Sequence, residues 1–180
     1  MRRLRITVLD LTTERPTRAL YARLMNANLA SIMPQVVAVW CEQAGHHVRF
    51  VCYTGFEDLA AEVLAETDVL FIGAFTQAAH TAYAISNVHR RRGTVTVLGG
   101  PHARCYPHDA ARHFDYVLGF TDRTVIDDVL RECTPHPVGV RLGAPRQPQI
   151  LPSVQDRWKF IEPTLAKTPI LKIVPMLGSL

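Results

Sequence analysis

The stretch Val95-Thr96-Val97-Leu98-Gly99-Gly100-Pro101-His102 decides the fold, because a short β-branched apolar run stops there on two glycines. Val95 to Leu98 reads as a buried strand. Just before it, Arg90-Arg91-Arg92-Gly93 reads as a helix end with its C′ glycine. Helix followed by buried strand is the repeating unit of an open α/β sheet, whose ligands bind outside the carboxyl ends of the strands. A strand that ends in Gly-Gly leaves backbone with no side chain between it and such a ligand.

The same alternation extends in both directions. Leu4 to Leu9 reads as a first strand, followed by a long connection from Asp10 to Ala30 that contains Thr12, Thr13, Pro16 and Asn26. Strand-to-helix connections usually run 2–6 residues, so this one is expected to bind something or to hold a short helix. Ser31 is placed to cap the next helix, in which Ile32, Val36, Val39 and Trp40 recur at helical spacing until Gly45. His47 to Tyr53 reads as a second strand. Thr54-Gly55-Phe56-Glu57 has the form of a capping box for two helical turns reaching Ala65. Asp68 to Gly73 follows as a third strand, then a loop from Ala74 to Gln77 and a helix rich in small residues (Ala78, Ala79, Ala82, Ala84). His113 to Gly119 is the fifth strand, and Thr121-Asp122 caps a helix bearing Val125, Ile126, Val129 and Leu130.

Five strands alternating with helices predict a doubly wound, five-stranded parallel sheet of flavodoxin-like order 2-1-3-4-5. That order brings Asp10–Thr13 and Ala74–Gln77 to one rim, with Gly99–His102 beside them. After Cys133 the composition changes: eight of the chain's 12 prolines lie from Pro135 onward. Residues 1–133 are therefore expected to form the domain. Residues 134–180 read as a proline-rich linker or surface-hugging extension that ends in an apolar strand, Ile170 to Leu180.

Composition narrows the function classes. The chain has 180 residues, 48% hydrophobic and 20% charged, with a formal charge of +4, which suits one globular core. The only dense basic patch, His89 to Arg92, reads as a solvated helix end, so no nucleic-acid partner is expected. No membrane span or signal segment is visible, and the cytoplasm is the expected location. The four cysteines (Cys41, Cys52, Cys105, Cys133) lack metal-ligand spacing and read as free thiols. Serine-hydrolase elbows and a nicotinamide glycine fingerprint are both missing, and of a phospho-receiver's acids only Asp10 is present.

Leu98-Gly99-Gly100-Pro101-His102-Ala103, followed by Asp115-Tyr116-Val117, resembles the cobalamin-binding domain that precedes the barrel of many radical S-adenosylmethionine enzymes. The similarity covers roughly Arg5 to Glu132. It implies a module that binds cobalamin and serves a catalytic radical S-adenosylmethionine barrel in cis or in trans, in methyl transfer or related radical chemistry. The 4Fe-4S cluster and S-adenosylmethionine would belong to that barrel, whose first strand Ile170–Leu180 resembles; the chain stops where the cluster-binding cysteine loop is expected. No catalytic residue is expected in this chain alone. For a bound cobalamin, Gly99 and Gly100 are expected to admit the tail, Thr76 and Gln77 to hydrogen-bond its ribose or phosphate, and Thr12 and Thr13 to meet the corrin amides, with Pro101, His102 and Gly119 as further cofactor-binding residues. His102 is expected to fix the loop by a hydrogen bond, with no protein histidine on cobalt. Where family members carry Gly-Glu-Gly-Glu, this chain has Gly119-Phe120-Thr121-Asp122. That departure motivates the alternative of a cofactor-free interaction or docking domain; a flavin-binding electron carrier is a weaker third reading.

Overall fold

The computed structural model describes residues 2–13, 31–55, 57–63 and 65–166. Six parallel strands form one sheet in the order β2-β1-β3-β4-β5-β6. They are β1 (Arg5–Leu11), β2 (His47–Tyr53), β3 (Val69–Ala74), β4 (Val95–Gly99), β5 (Tyr116–Leu118) and β6 (Val140–Leu142). The first five take the predicted doubly wound order. The sixth corrects the strand count, since Val140–Leu142 lies in the proline-rich extension. Seven helices are described: α1 (Ile32–Gln43), α2 (Leu59–Val63), α3 (Ala79–Arg90), α4 (Pro101–Cys105), α5 (Pro107–Ala110), α6 (Arg123–Glu132) and α7 (Val154–Ala166). A 3-10 turn, Thr76–Ala78, precedes α3. The proposed barrel strand Ile170–Leu180 and most of the Asp10–Ala30 connection lie outside the described residues.

Strand alternation divides the core in two. Ile6, Val8, Val69, Phe71, Val95, Val97, Tyr116 and Leu118 face α1 and α6. Leu9, Leu11, Leu70, Ile72, Leu98 and Val117 face α3, α4 and α5 on the other side. Ala79 and Ala82 of α3 are buried there, so its small residues serve close helix-to-sheet packing. Buried apolar runs on both faces are what a parallel sheet covered by helices requires.

Local signals hold at some caps and shift at others. Asp122 caps α6 by accepting the Val125 N–H at 3.0 Å. Ser31 occupies the α1 N-cap position, but its side chain makes no capping bond. Glu57 accepts the Thr54 N–H at 2.7 Å, half of a capping box, yet α2 begins two residues later. Asp58 supplies the cap, its Oδ1 accepting the Ala60 and Ala61 N–H groups at 3.1 and 3.2 Å.

The extension joins the sheet through Asp115, which is fully buried. Its carboxylate accepts the Thr96 N–H at 2.8 Å and hydroxyl at 3.0 Å, the His136 N–H at 2.9 Å and Arg90 Nε at 3.2 Å. Its own carbonyl accepts the Val140 N–H at 2.8 Å, which starts β6. The acid of Asp115-Tyr116-Val117 thus knits β4, α3 and the extension together.

Candidate functional site

At the carboxyl end of the sheet a cleft of about 230 Å³ opens between the strand ends and the start of α1. Its floor is a row of three residues in register across three strands: Asp10 of β1, Gly73 of β3 and Gly99 of β4. Strand parity turns all three toward the face of Val8, Phe71 and Val97, the α1 side. Two glycines in succession leave the row without side chains except for the carboxyl at its end.

The two glycines of Gly99-Gly100 do different work. A Cβ on Gly99 would meet nothing within 4 Å, so this position opens directly onto space. Gly100 has φ +94° and caps α4, and a Cβ on it would lie 2.9 Å from the Ala74 carbonyl oxygen. Gly100 is therefore required by the turn itself, whereas Gly99 is not.

Ile32, Met33, Pro34 and Val37 of α1 form one apolar wall, and Pro101, Gly119 and Phe120 stand opposite. Phe75 and Phe120, 40% and 39% exposed, sit at the mouth. The Arg104 guanidinium lies 5.3 Å from the Phe120 ring centroid, a cation–π contact. Asp10 and Arg104 are the only charged groups among the described lining residues.

Asp10 is 1% exposed. Oδ2 accepts the Ser31 N–H and faces the Cys52 thiol at 4.0 Å. Burial pushes this carboxyl up to about 6, partly opposed by the Ser31 N–H and hydroxyl.

Of the residues expected to bind a ligand, Gly99, Gly100, Pro101 and Gly119 line the cleft. Thr12 does not: its N–H and hydroxyl both turn to the Tyr53 carbonyl, at 3.2 and 2.7 Å, closing the ends of β1 and β2. Thr13 is half-buried and outside the lining. Thr76 and Gln77 are exposed in the 3-10 turn, away from the cleft, and Phe75 takes the N-cap position there.

His102 is buried on the opposite face of the sheet. Its Nε2 is 2.6 Å from Tyr83 Oη and its Nδ1 is 3.4 Å from Thr76 Oγ1. Tyr83 Oη donates to Asp109 at 2.9 Å, since a carboxylate only accepts. It then accepts from His102 Nε2–H, leaving Nδ1 to accept from Thr76. Burial lowers His102 and, with the Asp109 bond, raises Tyr83, so both stay neutral near pH 7. Both ring nitrogens are thus engaged in fixing the Gly-Gly-Pro-His turn.

Sequence reasoning placed Asp10 and Phe75 at this rim without giving either a role, and assigned neither Arg104 nor the α1 wall to the site. Parity along β1 places Asp10 on the same face as Ile6 and Val8, a signal present in the sequence. Among the described residues no group of three or more His, Cys, Asp or Glu is arranged to hold a metal ion. None of their helices is long and apolar enough to cross a membrane. No protein-family model matches the chain, and neither does any curated protein sequence.

Proposed function

We propose that this chain is a cobalamin-binding module, with the cofactor's nucleotide tail in the cleft and the corrin across its mouth. The observation that carries the reading is the clear space beside Gly99, which opens into an apolar cleft at the carboxyl edge of a parallel sheet. A bicyclic base is of a size to enter a cleft of about 230 Å³, and the wider corrin ring would lie across the mouth. Gly99 fits the group in the sense that matters sterically, because the space its missing Cβ would fill is free.

Gly99, Gly100, Pro101 and Gly119 would hold the tail, while Phe75 and Phe120 would shield one edge of a flat ring from water. Bound cobalamin supplies methyl transfer or related radical chemistry when a radical S-adenosylmethionine barrel is present. A cofactor-free docking domain has no need of a clear notch at Gly99, so the geometry favours the cofactor reading.

The test is to incubate the full chain with hydroxocobalamin and separate by gel filtration. Corrin absorbance eluting with the protein is the expected result. Its absence, also after the barrel domain is supplied in trans, would overturn the proposal.

A further inference from the structure

The opposite, amino edge of the sheet carries a second cleft, more polar and of about 630 Å³. Residues leading into β1, β3 and β4 line it, together with the end of α3 and the turn after α6. His89 of α3 is 2% exposed in that lining, and its Nε2 has no hydrogen-bond partner. The ring donates to the Val63 carbonyl, so Nδ1 carries the proton and Nε2 presents a bare lone pair. A buried acceptor without a donor is costly to the fold. Arg92, one turn further on, is exposed and forms no ion pair among the described residues. The acids of the cleft are already engaged, Asp68 by Arg2 and Arg5 and Glu66 by Arg5. Cys133 closes α6 in the same lining, at φ +41° the only described non-glycine residue with a positive φ. The space is open beside Arg92, because a Cβ on Gly93 would meet nothing within 4 Å.

We infer that this amino-edge cleft binds a small sugar phosphate, its phosphate on the Arg92 guanidinium and one of its hydroxyls donating to His89 Nε2. A planar guanidinium pairs with two phosphate oxygens at once. The hydroxyl supplies the donor that the imidazole lacks, which a phosphate dianion alone does not carry. The exposed Glu66 carboxylate accepts from further hydroxyls and repels an anion from every part of the cleft but the Arg92 end. This site lies at the far end of the strands from Gly99 and does not rest on the cobalamin reading.

The experiment is calorimetric titration of the full chain, wild type and Arg92→Gln, with glucose 6-phosphate, glucose and inorganic phosphate. Glucose 6-phosphate should bind wild type at least about tenfold more tightly than either fragment, and Arg92→Gln should lose about tenfold of that affinity. In wild type the nitrogen chemical shift of His89 Nε2 should move on adding glucose 6-phosphate and stay in place with inorganic phosphate. The sugar phosphate should also slow iodoacetamide alkylation of Cys133, read by mass spectrometry, and leave the exposed Cys105 unchanged. Inorganic phosphate binding as tightly as the sugar phosphate would mean a plain anion site and overturn the inference. No binding of glucose 6-phosphate, an unmoved His89 signal, or Arg92→Gln within about threefold of wild type would overturn it as well.

Discussion

Gly100 packs so closely on Ala74 that a Cβ would come within 2.9 Å of the Ala74 carbonyl oxygen, while its neighbour Gly99 has clear space. Gly100→Ala must also place a side chain at φ +94°. It should cost about 2 kcal/mol of unfolding free energy. Gly99→Ala should change stability by less than about 1 kcal/mol, with a gain from reduced unfolded-state freedom. Chemical denaturation of the two variants separates the structural glycine from the one the cleft uses.

The same pair shows what a sequence makes legible. Apolar runs separated by helical patterns announce five strands, whereas their order follows from crossover handedness and domain size and not from the runs themselves. Val140–Leu142 escaped notice as a strand of three residues among prolines, held by the Asp115 carboxylate and carbonyl rather than by any pattern of its own. The glycine edge was readable; the hydroxyl of Thr12 was not, since its partner is a carbonyl 41 positions away. Asp10 could have been found from strand parity, but the burial that shifts its titration arises only when α1 and Ser31 close over it.

Asp115→Ala should detach the extension. The buried carboxylate gathers donors from Thr96, His136 and Arg90, and its loss leaves them unpaired at a cost of about 3 kcal/mol. Amide hydrogen exchange should accelerate at His136 and Val140 well before it does in β1 and β3.

Asp10 makes the fold acid-stable in one window. Its carboxyl binds a proton more tightly in the folded state, near 6, than at its ordinary value of 3.8. Its contribution is therefore fully present below about pH 4 and is lost as pH rises through 6, by roughly 3 kcal/mol. Asp10→Asn should flatten that slope and raise stability at pH 8, read from urea midpoints across pH. An unchanged slope would show that the carboxyl is not buried as described.

Tyr83→Phe removes the hydroxyl that links His102 to Asp109. The loss should cost about 1–2 kcal/mol and free the imidazole to change tautomer. Nitrogen chemical shifts of His102 should show one dominant Nε2–H form in wild type and a mixture in the variant.

A cobalamin-binding module must receive its ligand in the space beside Gly99. Absorbance titration of hydroxocobalamin into wild type and Gly99→Leu, with folding midpoints matched, tests it most directly. We predict saturable binding to wild type and a loss of at least about tenfold in the variant, whose side chain fills the notch. Equal affinity in both proteins would contradict it.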